Sequence, residues 1–296
     1  MIPVPGFEGR RIAVFGLGRS GLTAARALKA GGGLPVLWDD SVSSRMQAQA
    51  EGFAVEDLTV ADWSGFAALV LSPGAPLTHP KPHWTVEKAK AAGVEVLGDI
   101  ELFARAIAAL PEGERPRVVA ITGTNGKSTT TALIGWVLKQ AGLTVHVGGN
   151  IGIGVLALPA PTKDAVFVIE VSSYQLDLTT RFAPDVAILT NISPDHLDRH
   201  GGMEGYVAAK ARIFAHADLA LVGVDEAWGR GVAATISGAH TVSTTGTPAD
   251  IRATDGRLIT ETDGEVDLTA ARSLLGRHNA QNAAFAYAAA RAVGVD

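Results

Sequence analysis

Short apolar runs alternate along the chain with segments whose apolar residues recur at helical spacing. Arg11–Gly16 (RIAVFG) predicts a buried strand and Ser20–Ala30 the helix that follows it. Pro35–Asp39, Ala67–Ser72 and the run VEVLG ending at Gly98 predict further strands, with a helix over Trp84–Ala92. Gly31-Gly32-Gly33 reads as a helix terminator and the polar stretch Leu110–Arg117 as a linker. The alternation then resumes. Val118–Thr122, Ala165–Val171, Asp185–Asn191 and Asp218–Val222 predict strands; Lys127–Ala141, Tyr206–Ala215 and Ala280–Val293 predict helices. The segment RLITETDGEVDL alternates around Asp263-Gly264, a hairpin signal. This pattern predicts an α/β fold with helices covering a mainly parallel sheet.

Two glycine loops sit at strand–helix junctions, one in each half of the chain. Gly16-Leu17-Gly18-Arg19-Ser20-Gly21 is a G-x-G-x-x-G after a strand and before a helix. Glycines permit the tight turn and the close approach of a diphosphate, and the helix N-terminus supplies amides and partial positive charge. Asp39 ends the next strand, where an acid could bind a ribose or a base. NAD is the default occupant of such a loop; a tight turn without a ligand is the plainer alternative. The second loop, Thr122-Gly123-Thr124-Asn125-Gly126-Lys127-Ser128, resembles a P-loop. Its backbone can wrap phosphates, Lys127 can reach the β/γ oxygens, and Ser128 can hold Mg²⁺. The standard spacing places a glycine at 121, where this chain has Ile121. Glu170 ends an apolar strand, where P-loop enzymes keep an acid for Mg²⁺. Asn191–Asp198 follows another strand and contains His196, a candidate metal or phosphate ligand; Asp195 and Asp198 read equally well as turn or cap residues.

Composition narrows the function classes. The 296 residues are 47% hydrophobic and 19% charged, which supports a sizeable core and excludes a disordered chain. Lys plus Arg number 25 against 30 Asp plus Glu, a net charge of −5 that argues against a dedicated nucleic-acid binder. The absence of cysteine (Cys 0) excludes disulfide scaffolds, cysteine-ligated metal and thiol nucleophiles, and fits a reducing compartment. The first ten residues lack a basic stretch followed by an apolar run, and no apolar run reaches the length of a membrane span.

TGTNGKS, NISPDHLDRHG, the segment Ala209–Phe214 around Lys210, and Gly276-Arg277-His278-Asn279 follow one another in an order that resembles the ATP-dependent Mur ligases of peptidoglycan synthesis. Ile121 in place of the usual glycine belongs to that family's own pattern. Ser72-Pro73-Gly74, Gly98–Phe103, Gly148–Gly152 and Glu170–Leu176 look like the branch that adds D-glutamate. The resemblance implies a Rossmann-like nucleotide-binding domain over 1–97 and a P-loop-type ATPase α/β domain with a mainly parallel sheet over 98–296. It also implies a third, C-terminal domain that these residues do not include.

The same resemblance implies the reaction and its residues. ATP would phosphorylate the terminal carboxylate of UDP-N-acetylmuramoyl-L-alanine, and the amine of D-glutamate would displace phosphate from the acyl phosphate. Gly18, Arg19, Ser20, Asp39, Asp40, Ser72, Pro73, Gly74, Asn150 and Ser172 match positions that line the UDP-precursor site. Gly123, Thr124, Asn125, Gly126, Lys127, Ser128, Thr129, Asn279 and Asn282 match the ATP site, with His278 beside them. Lys127, His196 and Lys210 match the catalytic positions, and Ser128, Glu170, His196 and Lys210 the ligands of two Mg²⁺ ions. Lys210 is expected to carry a carbamate; on sequence alone it is a helix lysine with a solvated head. No nucleic acid or membrane is implied, the expected location is the bacterial cytoplasm, and nothing in the sequence sets an oligomeric state. Three other readings remain: a fragment that binds precursor and ATP without turnover, an NAD-dependent dehydrogenase, and a folylpolyglutamate-type ligase. The dehydrogenase leaves TGTNGKS unexplained, and the first glycine loop argues against the folylpolyglutamate type.

Overall fold

The computed structural model describes residues 1–254, 256–260, 264–271 and 276–295. Two sheets are formed. The first contains β1 (Arg11–Phe15), β2 (Leu34–Trp38), β3 (Ala54–Val55), β4 (Phe66–Leu71) and β5 (Glu95–Leu97). It is parallel throughout, in the order β3-β2-β1-β4-β5. Helices α1 (Arg19–Ala30), α2 (Val42–Ala50) and α3 (Trp84–Ala91) belong to this half, and α4 (Asp99–Ala108) follows β5. Gly31 caps α1 at its C-terminus, as the glycine triplet predicts.

The second sheet holds β6 (Arg117–Thr122), β7 (Thr144–Gly149), β8 (Ala165–Glu170), β9 (Val186–Leu189), β10 (Leu219–Gly223), β11 (His240–Ser243), β12 (Ile251–Thr254), β13 (Arg257–Thr260) and β14 (Gly264–Asp267). Their order is β14-β13-β12-β11-β10-β9-β6-β8-β7, parallel from β7 to β12 and antiparallel only at β12–β13 and β13–β14. The strands on both sides of the hairpin signal pair as expected, while Asp263 itself lies outside the described residues. The helices are α5 (Lys127–Gln140), α6 (Ser173–Asp177), α7 (Leu197–His200), α8 (Met203–Ala211), α9 (Ala227–Ala234) and α10 (Arg277–Ala292). The helix expected over Tyr206–Ala215 begins earlier and tightens to a 3₁₀ turn at Arg212–Phe214.

Strand β6 is central and apolar on both faces, the mark of a parallel strand covered on both sides. Val119 and Ile121 pack with Ile134, Leu138 and Phe285 on one face. Val118 and Ala120 face Phe103 and Phe167 on the other, in a core continuous with Ile12, Val14 and Leu28 of the first sheet. Ile121 is fully buried and pairs with Glu170 and Ile188. This explains the missing P-loop glycine: position 121 is still strand here, and the turn starts after Thr122.

Helix α4 ties the two sheets together. Its Phe103 ring lies 5.7 Å from Phe167 and 6.3 Å from Phe182. Its Glu101 is 1% exposed and accepts hydrogen bonds from the Thr180 N–H at 2.8 Å, the Arg181 N–H at 2.9 Å and Arg105 Nε at 3.0 Å. A buried carboxylate satisfied this fully is costly to lose, because its donors are left without partners. Replacing Glu101 with Ala is expected to cost about 2–4 kcal/mol of stability, read as a lowered denaturant midpoint. An unchanged midpoint would show that the contact contributes nothing to joining the sheets.

Candidate active site

Both glycine loops leave the C-terminal ends of central strands, where parallel α/β sheets bind ligands. After β1, Gly16 adopts φ +86°, and a Cβ there would sit 2.4 Å from Ser72 Cβ. A Cβ on Gly21 would lie 1.9 Å from the Gly16 carbonyl oxygen. The loop, the first turn of α1 and the Ser72 segment therefore pack with no room for a side chain at Gly16 or Gly21, while Gly18 is open. Asp39 accepts the Leu17 N–H at 2.6 Å and the Ser41 N–H at 2.8 Å, so it fixes the loop to the end of β2. Asp40, Gly18 and Arg19 are exposed. Arg19 donates to the carbonyls of Gly152 at 2.7 Å and Asn150 at 3.4 Å. From the other side, Arg199 donates to the carbonyls of Gly74 at 3.1 Å and Pro73 at 3.3 Å. The predicted positions 18–20, 39–40, 72–74 and 150 thus converge on one region between the sheets.

The second loop runs from β6 into α5. Gly123 takes φ +145°, and a Cβ there would meet Thr190 Oγ1 at 1.9 Å. Thr190 Oγ1 donates to the Asn125 carbonyl at 2.8 Å. The Asn191 side chain accepts from the Asn125 N–H and donates to the Asn125 carbonyl, each at 2.9 Å. The end of β9 therefore braces the loop from beneath. Asn282 is 5% exposed, accepts from Thr130 Oγ1 at 3.0 Å, and backs Gly126. It lies behind the loop, whereas Asn125, Ser128 and Thr129 are exposed. Lys127 donates to the Thr124 carbonyl at 2.8 Å, and burial lowers its proton affinity against the opposing pull of Glu170 and Asp195.

Glu170 is 2% exposed and ends β8. Its Oε2 accepts from Ser128 Oγ at 2.7 Å and its Oε1 from Asn150 Nδ2 at 2.9 Å. One carboxylate thus joins the second loop to the 148–152 loop that Arg19 holds. A hydroxyl and a carboxylate side by side form an oxygen donor set that suits a hard cation such as Mg²⁺. Among the described residues no three His, Asp or Glu side chains converge in the manner of a preformed metal cage.

Lys210 is not solvated. It is 2% exposed on α8, and its Nζ donates to the Gly123 carbonyl at 2.6 Å and lies 4.5 Å from the Tyr206 ring centroid. Burial, with the Lys127 charge adding to it, lowers its pKa to about 7. His196 is half exposed, with its backbone in the left-handed region at φ 50°. Its ring lies 5.0 Å from Tyr174 and its Nε2 3.4 Å from Asp195 Oδ2. A cavity of about 490 Å³ opens at the other end of the second sheet, away from both loops, beside Arg117 and Asp185. A second cavity, of about 620 Å³, adjoins the second loop and is lined by Asn125, Asn191, Asp225, Arg277, His278 and Gln281. Asn279 is half-buried beside it on α10.

Residues 121–290 match the Mur ligase middle domain. The chain belongs to the Mur ligase family. The UDP-N-acetylmuramoylalanine–D-glutamate ligase of Caulobacter vibrioides strain NA1000 is 59% identical over 308 aligned residues, covering 100% of this chain and 65% of that protein. The ligase of the same name from Agrobacterium fabrum is 49% identical and covers 100% of this chain and 64% of that protein. The chain therefore spans a little under two thirds of these relatives. Among solved structures, the UDP-N-acetylmuramate:L-alanyl-γ-D-glutamyl-meso-diaminopimelate ligase from Neisseria meningitides shares the fold. Its TM-score is 0.63 at 19% identity, covering 97% of this chain and 94% of that one.

For a Mur ligase the two loops are the expected landmarks, but the residues that shape them were not all legible beforehand. Thr190 and Tyr206 carry no motif signal of their own, and Arg199 entered only as part of NISPDHLDRHG. The polar end of the apolar strand DVAILTN was the hint for Thr190, while Asn191 also opens NISPDHLDRHG. The Mur fold also makes Lys210 measurable through stability. Folded Lys210 loses its proton near pH 7, while the unfolded side chain keeps it to the ordinary value of 10.5. Between those values the unfolded chain binds more protons, so stability rises with pH. Thermal unfolding in CO₂-free buffer is expected to show this rise, on the order of a few kcal/mol across the window. Lys210→Met should flatten it, and equal slopes for the two proteins would contradict the buried ammonium.

Proposed function

We propose that this chain supplies the precursor- and nucleotide-binding parts of an ATP-dependent ligase that joins D-glutamate to UDP-N-acetylmuramoyl-L-alanine. The carrying observation is the second glycine loop. It has Ser128 on the buried Glu170 and the buried Lys210 behind Gly123. The names of the relatives give the direction. The two-sheet architecture supports a division into a precursor domain over 1–97 and an ATPase domain over 98–296. The UDP end would lie on the Gly16–Gly21 loop, near Arg19, Ser20, Asp39, Asp40 and Ser72–Gly74. ATP would lie on Gly123–Thr129 and extend toward His278, Asn279 and the cavity beside them; Asn282 would act by supporting Gly126.

The chemistry asked of these residues is mostly the positioning of anions. Lys127, already short of water, would lie against the γ-phosphoryl as it moves to the alanyl carboxylate. The acyl phosphate so formed gives D-glutamate's amine a leaving group to displace. Ser128 and Glu170 would hold Mg²⁺, which when bound neutralises charge on the phosphates. A second ion would fall to His196 and to Lys210 carrying a carbamate, with Asn150 and Ser172 toward the precursor. A lysine whose pKa is about 7 is neutral amine in substantial part at that pH. That nitrogen can attack CO₂, forming an N–C bond, losing one proton to water and leaving an anionic oxygen ligand.

Calorimetry on this chain tests the precursor reading directly. UDP-N-acetylmuramoyl-L-alanine is expected to bind more tightly than the precursor lacking alanine, and NAD not at all. Binding of NAD alone would return the first loop to a dehydrogenase. For the carbamate, a carbon-13 bicarbonate spectrum is expected to show a carbamate signal that Lys210→Met lacks. The same spectrum from both proteins would remove Lys210 from the metal set.

A further inference from the structure

Asp99 sits at the crossing point of the two halves and has no assigned task. It is 5% exposed, at the start of α4. Its Oδ2 receives Ser20 Oγ at 2.5 Å and Gln175 Nε2 at 3.1 Å. Its Oδ1 receives the Ile100 N–H at 2.9 Å and Gln175 Nε2 at 3.2 Å. Gln175 is oriented in turn, because its Oε1 accepts from the Ser172 N–H and from Ser172 Oγ, both at 3.1 Å. A continuous chain of hydrogen bonds therefore runs from Ser20 on the first glycine loop, through Asp99 and Gln175, to Ser172 beyond β8. Among the described residues no cation lies within ion-pair distance of Asp99. All its partners are neutral.

The donor count at Ser20 then decides what the site can bind. A serine hydroxyl has one proton. If Asp99 is a carboxylate, that proton is committed inward, and Ser20 presents only lone pairs to the outside. A diphosphate also presents only acceptors, so the two would repel. If Asp99 is the neutral acid, Oδ2–H donates to Ser20 Oγ, and the Ser20 proton is free to point outward.

We propose that Asp99 is a positioning residue that, as the neutral acid, turns the Ser20 hydroxyl into a donor toward the diphosphate of the nucleotide precursor, with Gln175 and Ser172 holding its orientation. This rests on the precursor reading given above. No net proton transfer is involved; both protons stay on their own oxygens. Burial without a counter-charge pushes the Asp99 carboxyl above the ordinary carboxylate range, against the pull of its neutral donors. An asparagine keeps the donor toward Ser20 and the acceptor at Oδ1, where Gln175 Nε2 also bonds, whereas leucine keeps the bulk and loses both.

The test is calorimetric affinity for UDP-N-acetylmuramoyl-L-alanine, with the thermal midpoint measured on each protein. Asp99→Leu is expected to weaken binding about tenfold or more, and Asp99→Asn to restore it to within about threefold. On a Ser20→Ala background, Asp99→Leu should have little further effect on affinity, because the relay acts through that hydroxyl. Two results overturn the proposal. One is Asp99→Asn binding as weakly as Asp99→Leu with its midpoint unchanged. The other is the full Asp99→Leu loss persisting on Ser20→Ala, which would mark a structural role. Failure of the unaltered chain to bind the precursor removes the precursor reading, and this proposal with it.

Discussion

The Gly123 carbonyl accepts a hydrogen bond from the buried Lys210 ammonium, and much of the second glycine loop is arranged around that contact. A cation deprived of water is tolerated only where something polar meets it. Here a single carbonyl and the face of Tyr206 provide that meeting, with no carboxylate in direct contact among the described residues. The carbonyl can point inward because Gly123 has φ +145°, and Thr190 closes the space where a side chain would go. The loop is thus held by a positive charge behind it and by β9 beneath it. Asn191 already takes the Thr124 and Asn125 N–H groups, and the Thr124 carbonyl takes Lys127.

The same economy appears between the sheets. Helix α4 contributes two carboxylates two residues apart in sequence, each buried, with different consequences. Glu101 is clamped by backbone N–H groups and Arg105, a charge-assisted arrangement that fixes where the 180–181 segment lies. Asp99 meets only neutral donors: Ser20 from the first half, Gln175 from the second and the Ile100 N–H of its own helix. The first therefore sets geometry, and the second has no charge beside it to hold it as an anion. Glu170 makes the third such junction, between Ser128 and Asn150. Arg19 and Arg199 then lay their guanidinium groups on backbone carbonyls across the same gap. The site is built mainly from acceptors and donors already paired with one another, so a ligand must exchange partners rather than fill empty ones.

Strands and glycine loops were legible because their signals are local. An apolar run followed by a glycine turn and a helix needs no knowledge of the rest of the chain. Central strands β1, β6, β8 and β9 and the two loops all fall near their expected places. What the sequence hid depends on neighbours far along the chain. Lys210 sits in an ordinary helix pattern, and only the packing of Tyr206 and the Gly123 carbonyl makes it a buried amine. Asp39 was read as a ligand for a ribose or base, yet both of its oxygens accept backbone N–H groups, one of them from the loop. Asp99 and Glu101 appeared only as part of a resembling segment, because a carboxylate near a helix start is usually explained by the helix itself.

The two lysines near the second loop make the local charge a variable. As ammonium groups they disfavour one another: Lys127 is among the causes that depress Lys210. A carbamate on Lys210 would replace a positive charge by a negative one, a change of two units within reach of Lys127. Lys127 would then hold its proton more firmly. Burial thus bears on one side chain in two ways. It lowers the proton affinity of the Lys210 amine, and it would let a carbamate there act strongly on Lys127, because charges held away from water are weakly screened.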